Sequence, residues 1–260
     1  MTRGFRHTMR MLQALGTLLC IAGCATSAPG QRSPADPWEP LNRNIHAFND
    51  TLDSVTLKPV AKAYEKAVPS TARLGVTNFS RNLRSPLNLI NSFLQGKPRD
   101  GFTEAGRFLA NTTFGLLGVL DVATDMGLES HDEDFGQTLA AWGVPDGPYV
   151  VVPMLGPRTL RDALAIPLNF LADPLLHYDN SSVRDRLYVL RLVDVRHRLF
   201  AAEGLIKDST DRYLTIRESY LQRRQYLIHD GDPPVDEDFY DDFYDDEYYD
   251  DGEEPPQSGQ

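Results

Sequence analysis

The residue types that most often catalyse reactions are sparse and poorly spaced in this sequence. The five histidines after residue 24 show neither the His-x-x-x-His spacing nor the neighbouring cysteines of a metal site; they are His46, His131, His177, His197 and His229. A serine-nucleophile elbow and glycine-rich phosphate loops are also missing. Asp134-Phe135-Gly136 repeats the metal-binding triplet of protein kinases, but the other kinase motifs do not accompany it. The sequence predicts no enzyme, no metal and no cofactor, although a carboxylate pair assembled only by folding leaves a hydrolase open.

Cys24 is the residue whose surroundings predict a chemical modification. Three arginines in the first ten residues precede an uncharged apolar run, residues 11–22, which is shorter than the roughly 20 residues that span a bilayer core. The run ends in Ile21-Ala22-Gly23-Cys24, which resembles the lipobox of bacterial lipoproteins, in which the cysteine thiol carries a diacylglyceryl group. We expect residues 1–23 to be removed and Cys24 to become a lipidated N-terminus. An ordinary signal peptide without lipidation is the alternative.

Charge divides the rest of the chain into a body and a tail. Residues 24–229 contain 23 basic and 23 acidic residues, whereas residues 230–260 contain 14 acidic residues and no Lys or Arg. Such a tail repels itself and buries too little apolar surface to fold alone, so we expect it to be disordered. It is either a solubilising tail or an arm whose Phe and Tyr rings dock on a basic partner. A neutral body with an acidic tail argues against nucleic acid as a partner.

Composition sets the other boundaries. Residues 24–35 are rich in Ser, Pro and Gly and are predicted to be a flexible tether, and residues 36–229 suffice for one sizeable domain. Cys20 leaves with the signal peptide, so no internal disulfide is expected. Ala25, rather than Asp, follows Cys24, which by the sorting rule of enteric lipoproteins favours the outer membrane.

Hydrophobic periodicity predicts a mainly α domain. Leu41, Ile45, Phe48, Leu52 and Val55 recur at spacings of four, three, four and three, as on one face of a helix. Capping and breaking residues predict further helices. Ser70 is expected to cap one helix, Ser85-Pro86 to start a second that ends at Gly96, and Asp100 to start a third. Two long helices are predicted over residues 182–206 and 209–228. Residues 149–152 are the single candidate strand.

Apolar segments in the middle of the chain are unusual for a soluble protein. Residues 108–120 and 163–172 are uncharged, and residues 135–157 carry one charge, Asp146. Each is interrupted by Gly or Pro or is too short to span a bilayer. This pattern is typical of a protein that lies within one leaflet, where irregular backbone must be shielded by protein or face a wet cavity. A buried core in a soluble domain is the alternative.

Several gapped motifs in a fixed order resemble the MlaA (VacJ) family of lipoproteins over residues 36–229. They are Asp36-Pro37-Trp38-Glu39-Pro40-Leu41-Asn42-Arg43, Phe48-Asn49, Asn82-Leu83, Leu94-Gln95-Gly96, Arg107-Phe108, Gly118-Val119-Leu120-Asp121, Asp134-Phe135-Gly136-Gln137-Thr138-Leu139, Trp142-Gly143-Val144, Gly147-Pro148-Tyr149, Gly156-Pro157, Arg161-Asp162 and Asp173-Pro174. The resemblance implies a ring-shaped α-helical domain in the inner leaflet of the outer membrane, with a central amphipathic channel. It also implies association with trimeric porins and transfer of stray outer-leaflet phospholipids to a periplasmic lipid carrier, MlaC, which maintains lipid asymmetry without covalent chemistry.

Within that resemblance, three sets of residues are candidates for function. The polar residues inside apolar motifs are candidates for lining the channel and binding head groups, although capping or internal pairing is an equal alternative for each: Asn42, Arg43, Asn49, Asn91, Arg107, Asn111 and Gln137. A Gly/Pro-rich run is the candidate gating loop, with Gly143, Gly147, Pro148, Tyr149, Pro153 and Gly156. The N-terminal stripe of Leu41, Ile45 and Phe48 is the candidate ring-closing helix.

Two features depart from the family pattern. Pro145-Asp146 stands where small, Gly-rich residues are usual, and the long Asp/Tyr tail is not shared. We expect Arg161-Asp162 to be a structural pair. A lipoprotein that only braces porins or the envelope, without moving lipid, remains an alternative, as does an envelope hydrolase.

Overall fold

The computed structural model describes residues 33–207 and 209–234. Cys24, the leader, most of the tether and the tail from residue 235 lie outside these ranges. The described chain is mainly helical, which confirms the predicted fold class. None of its helices combines the length and the apolar character needed to cross a bilayer.

The elements follow one another with short connections. In chain order they are α1 (Glu39–Val55), α2 (Leu57–Ala67), α3 (Ser70–Leu94), α4 (Pro98–Thr113), α5 (Val122–Asp125), α6 (Phe135–Ala141), β1 (Tyr149–Val152), β2 (Gly156–Thr159), α7 (Leu160–Leu171), a 3-10 turn (Pro174–His177), α8 (Ser181–Arg198), α9 (Phe200–Lys207) and α10 (Arg212–Ile228).

The predicted first helix and the strand at 149–152 are confirmed, whereas three helix boundaries are wrong. The helices expected on either side of Ser85-Pro86 are one continuous helix, α3, with Pro86 inside it, and Ser70 is its first residue rather than its cap. Packing of α3 along α4 outweighs the lost hydrogen bond at Pro86. The long helix expected over 182–206 is interrupted at Leu199, which separates α8 from α9.

A two-stranded antiparallel hairpin joins distant parts of the chain. In it Tyr149 pairs with Thr159 and Val152 with Gly156, and the hairpin contacts α1, α7 and α10. Buried Tyr149, Val151 and Tyr213 form a small core cluster here. The helices α3 and α4, α2 and α8, and α6 and α7 pack against each other in pairs.

Burial is inverted relative to an ordinary soluble domain. Among the described residues, 22 polar or charged side chains are buried against 10 apolar ones. Many large apolar side chains are exposed instead, including Phe102, Leu109, Phe114 and Leu164. Because soluble proteins bury apolar residues and rarely bury charged ones, this distribution indicates a polar interior and an apolar exterior.

Candidate functional site

The site is a polar cavity of about 810 Å³. Residues of α3, α4, α5, α7, α8 and α10 line it, together with Arg158 of β2 and the segment before α6. Eight arginines and five aspartates lie in its wall, along with amides such as Asn78, Asn82 and Asn169. Its lining is that of a site for a charged or strongly polar ligand.

The helix α7 shows how the sequence positions this wall. Asp162, Ile166, Asn169 and Phe170 line the cavity, and Leu164 and Leu171 on other faces are each 68% exposed. The N-terminus of α7 is capped by the Thr159 hydroxyl, which accepts a hydrogen bond from the Asp162 backbone N–H at 3.2 Å. The helix therefore presents Asp162 and Asn169, beside two apolar side chains, to the cavity and exposes leucines on its other faces.

The helix α4 repeats this arrangement. Arg107 and Asn111, four residues apart, are buried and line the cavity, whereas Phe102 and Leu109 are exposed. Arg107 donates two hydrogen bonds to the Asp121 carboxylate, at 2.9 and 3.0 Å, and Asn111 donates a third at 2.9 Å. Burial alone would raise the pKa of Asp121, but its hydrogen bonds from Thr124 and Asn111 and the charge of Arg107 outweigh burial and lower the pKa. This wall is a rigid, ionised cluster.

Arg224 organises the opposite wall. Its guanidinium donates to both Asp134 oxygens at 2.8 Å and to Asp162 at 2.8 Å, so α10 is tied to the start of α6 and to α7. Tyr220 also donates to Asp162, at 2.7 Å. Burial would raise the pKa of Asp134, but the hydrogen bonds and the charge of Arg224 hold it below its ordinary value.

The apparent kinase triplet is explained by this structure. Asp134 caps α6 by accepting a hydrogen bond from the Gln137 backbone N–H at 2.9 Å, and it pairs with Arg224. Gly136 leaves room for these groups, because a Cβ there would lie 2.4 Å from Asp162 and 2.5 Å from Arg224. Over the described ranges, no three His, Cys, Asp or Glu side chains are grouped to hold a metal ion.

An apolar pocket of about 420 Å³ adjoins the cavity. Side chains such as Val76, Phe79 and Leu187 line it, and Ser80 and Arg191 belong to both spaces. A polar site and an apolar site therefore share a boundary at Arg191.

Of the seven polar residues singled out from the sequence, Arg107 and Asn111 line the cavity. Asn42 and Asn49 instead fasten α1 to the hairpin. The buried Asn42 amide donates to the Tyr149 carbonyl at 3.0 Å and accepts from the Val151 N–H at 2.9 Å. Asn49 donates to the Val152 carbonyl at 3.1 Å and accepts from the Met154 N–H at 2.8 Å.

The remaining three, Arg43, Asn91 and Gln137, also have partners within the chain. Arg43 pairs with Asp211 at 2.7 Å and with Glu39 at 2.7 Å, and the hydrogen bonds that it donates to Asp211 are the main cause of its raised pKa. Asn91 accepts a hydrogen bond from the Thr138 hydroxyl at 2.7 Å, and Gln137 donates to the Asp132 carbonyl at 2.8 Å. Channel lining by these seven residues stays a prediction.

The candidate gating loop contains buried or hydrogen-bonded residues, exposed residues and glycines with positive φ angles. Tyr149 is buried, whereas Gly143, Gly147 and Gly156 adopt positive φ angles of 84°, 66° and 80°. Pro148 accepts a hydrogen bond from the Leu160 N–H at 2.9 Å through its carbonyl, and Pro153 is exposed at the hairpin turn.

Asp146, the departure from the family pattern, fastens the start of this loop. Its carboxylate lies 2.6 Å from Arg161 and accepts a hydrogen bond from Gln225 at 2.7 Å. Arg161 and Asp162 are both buried in this network. The expectation that they are a structural pair agrees with these contacts.

The candidate ring-closing stripe lies on α1. Ile45 packs against the cluster of Tyr149, Val151 and Tyr213, and Leu41 is half-buried. Phe48 is 54% exposed, so it is available to a surface outside the described chain.

Sequence reasoning missed most of the cavity arginines. The signal was present in α8, where Tyr188, Arg191, Leu192, Val195 and Arg198 recur with helical spacing and all line the cavity. A helix face that lines a cavity has the same residue spacing as a face that contacts solvent, and only the position of the cavity distinguishes the two.

Comparisons with known proteins agree with this geometry. The family model described as MlaA lipoprotein matches residues 34–227. The "Intermembrane phospholipid transport system lipoprotein MlaA" of Escherichia coli is 37% identical over 226 residues, covering 84% of this chain and 88% of that protein. The protein of the same name from Haemophilus influenzae is 30% identical over 235 residues, covering 86% and 92%.

A solved structure extends the likeness to three dimensions. It is described as the "Structural basis for maintenance of bacterial outer membrane lipid asymmetry" and is 37% identical, with a TM-score of 0.65 over 76% of this chain and 100% of that chain. The chain belongs to the MlaA lipoprotein family.

Proposed function

We propose that this protein is a non-enzymatic outer-membrane lipoprotein that moves phospholipids out of the outer leaflet, through the polar cavity, to a periplasmic carrier. The observation that carries the proposal is a charged cavity bounded by helices whose other faces expose leucine and phenylalanine. Such a domain keeps its polar groups inside, away from acyl chains, and contacts acyl chains with its outer surface. The names of the related proteins, which refer to intermembrane phospholipid transport, support the same role.

Backbone strain supports membrane contact. Leu116 and Leu117, which are 70% and 65% exposed, adopt positive φ angles of 53° and 60°. A left-handed conformation costs a non-glycine residue roughly 1–2 kcal/mol, and exposed leucines gain nothing from water in return. Insertion of this loop into acyl chains accounts for both the strain and the exposure.

The proposed position of the domain is within one leaflet. We place it there as a ring, with Cys24 as its lipid anchor on the periplasmic side, and its exposed leucine and phenylalanine side chains support this position. A trimeric porin would bind the apolar rim, which consists of exposed side chains such as Phe102, Leu109, Phe114 and Leu164. The soluble carrier MlaC would receive lipid at the periplasmic end. The lipid anchor and the embedded apolar side chains would together hold the domain at the membrane.

Passage of a lipid requires both parts of the site. In the proposal, the head group occupies the arginine-rich cavity, where Arg107 and Asn111 hold one wall, and an acyl chain occupies the adjoining apolar pocket. Arg191 lies where the cavity and the apolar pocket meet, and the proposal places the lipid phosphate beside it.

The hairpin is the proposed gate and α1 its proposed latch. Asn42 and Asn49 hold β1 and the hairpin turn to α1, and the hairpin contributes Leu155 and Arg158 to the cavity wall. Loss of these hydrogen bonds between α1 and the hairpin would enlarge the cavity opening. Loss of Phe48 or Asn49 should therefore cause leaky lipid flow, whereas an intact lipid barrier in either mutant argues against the latch.

The test is the phospholipid content of the outer leaflet in cells that lack this gene. We expect phospholipid to accumulate there and to be cleared by a restored wild-type copy but not by a Cys24→Ala copy. An unchanged leaflet together with failed porin assembly would contradict transport and support a bracing role. Turnover of a lipid or glycan substrate by the purified protein would overturn the non-enzymatic assignment.

A further inference from the structure

The cavity wall contains more positive charge than its own carboxylates neutralise. Its arginines are Arg81, Arg84, Arg107, Arg158, Arg191, Arg198, Arg223 and Arg224, and its acids are Asp121, Asp132, Asp134, Asp162 and Asp173. The wall has no lysine, glutamate or histidine, so it has an excess of three positive charges. A concave site lined by one sign of charge concentrates ions of the opposite sign.

Ion pairs separate the arginines that have aspartate partners from those that have none, and one of these partners, Asp194, lies outside the lining of the cavity. Five are paired with aspartates: Arg84 with Asp132, Arg107 with Asp121, Arg191 with Asp173, Arg198 with Asp194, and Arg224 with Asp134 and Asp162. Across residues 33–207 and 209–234, the other three, Arg81, Arg158 and Arg223, have no carboxylate within ion-pairing distance. Arg158 donates only to the neighbouring Pro157 carbonyl, at 2.6 Å.

The three unpaired arginines come from separate elements that meet at the cavity. Arg81 lies on α3, Arg158 on β2 and Arg223 on α10. Arg158 is half-buried, and Arg81 and Arg223 are exposed. Their guanidinium groups are available to a ligand, because no carboxylate within the part of the chain that the structure describes has to be displaced first.

We propose that Arg81, Arg158 and Arg223 make the cavity selective for phospholipids with a net negative head group over zwitterionic ones. This inference rests on the proposed function. Both lipid classes carry a phosphate that accepts hydrogen bonds from arginine. A zwitterionic head group such as phosphoethanolamine also carries an ammonium, which the excess arginines repel, whereas the glycerol of phosphatidylglycerol is uncharged. Selectivity therefore comes from repulsion of the wrong head group as well as attraction of the right one.

The experiment measures which lipid the protein retains. The full-length lipidated protein is reconstituted in membranes of equal phosphatidylglycerol and phosphatidylethanolamine, extracted in mild detergent, and its retained lipids are quantified by mass spectrometry. We expect roughly tenfold enrichment of phosphatidylglycerol, equivalent to about 1.4 kcal/mol. The triple variant Arg81→Gln/Arg158→Gln/Arg223→Gln should return the ratio to that of the membrane, and the exposed singles Arg81→Gln and Arg223→Gln should give intermediate ratios.

The control removes three positive charges elsewhere. Lys66→Gln/Arg99→Gln/Arg186→Gln changes exposed residues that do not line the cavity and have no ion pair within the described chain, so enrichment should persist. Equal retention of both lipids by the wild type, or equal loss of enrichment in both triple variants, would overturn the inference while transport still stands. Retention of neither lipid by the wild type would contradict the proposed function itself. Displacement of the lipid by millimolar inorganic phosphate would assign the arginines to free phosphate instead.

Discussion

Asp36 and Tyr213 are 177 residues apart in the sequence and are joined by a hydrogen bond of 2.5 Å from the tyrosine hydroxyl to the carboxylate. Asp36 is fully buried and also accepts hydrogen bonds from Asn42, at 2.8 Å, and from Arg217, at 3.3 Å. Burial raises the pKa of Tyr213, and its hydrogen bond to Asp36 raises it further, so the tyrosine stays a donor. One carboxylate thus joins the start of the domain to α10, which forms a wall of the cavity.

The first prediction concerns this junction. Asp36→Ala should lower the free energy of unfolding by about 3 kcal/mol, because buried Arg217 loses a partner and two neutral donors lose their acceptor. Thermal unfolding in detergent measures the change. Asp125→Ala, at an exposed aspartate of α5, is the matched control and should leave the midpoint nearly unchanged. Equal midpoints for the two variants would show that Asp36 is not a structural hub.

The second prediction is a pH dependence. The pKa of Asp134 is lowered in the folded protein, so its contribution to stability is present above its unfolded pKa of about 3.9 and is lost as pH falls through the folded value. Arg224→Gln should lower the free energy of unfolding by about 3–5 kcal/mol at neutral pH, because Asp134 and Asp162 lose their shared counter-charge.

Acid should reduce that deficit, since protonation of Asp134 removes the buried charge that Arg224 no longer neutralises. Unfolding midpoints of wild type and variant between pH 7 and roughly pH 3 measure it. Arg212→Gln is the control on the same helix, where the exposed pair with Asp50 contributes about 0–1 kcal/mol. A deficit that is constant with pH would argue against the electrostatic explanation.

The third prediction concerns the apolar loop after α4. A Cβ at Gly115 would lie 2.2 Å from the Leu120 carbonyl oxygen and 2.6 Å from that of Asn111, and backbone atoms cannot move aside cheaply. Gly115→Ala should therefore destabilise the protein by about 2–3 kcal/mol and displace Leu116 and Leu117. Gly204→Ala, in a helix with open space around the added methyl, should stabilise it by about 0.5–1 kcal/mol. Unfolding shifts of the same sign in both variants would contradict this account of the loop.

The fourth prediction tests the proposed gate. The Asn49 side chain accepts a hydrogen bond from the Met154 N–H at 2.8 Å, which places the two residues close enough to try a cysteine pair, Asn49→Cys/Met154→Cys. Oxidation should lock the hairpin to α1 and stop lipid passage, and reduction should restore it. Both arms lack Asn49, so their difference measures the covalent lock alone. Equal transport by the oxidised and reduced protein would exclude movement of the hairpin relative to α1.

Local patterns predicted the local structure, and tertiary packing decided the rest. The stripe from Leu41 to Val55 predicted α1, and the β-branched run at 149–152 predicted its strand. Pro86 was a wrong boundary, because the long contact between α3 and α4 holds the helix together through the proline. Leu199, where α8 ends, has no breaking residue beside it, so no sequence signal marked that boundary.

The site was harder to predict than the fold for a physical reason. Motif position selected Arg107 and Asn111, which line the cavity, but it also selected Asn42 and Asn49, which bind backbone groups of the hairpin. Arg158 follows a proline in a strand that was not predicted at all. A cavity assembled from six helices and a hairpin becomes visible only when their relative positions are known.

The last prediction tests the central claim, that a phospholipid occupies the cavity. A photo-reactive phenylalanine analogue replaces Tyr188, an aromatic residue of the cavity wall, or Phe102, an exposed aromatic residue of the apolar rim. Cells are irradiated, and lipid crosslinked to the purified protein is identified by mass spectrometry. We expect phospholipid at both positions, with the Tyr188 adduct lost when the hairpin is locked by the Asn49→Cys/Met154→Cys disulfide. Phospholipid at Phe102 with none at Tyr188 would mean that lipid surrounds the protein without entering it, which would contradict the proposed function.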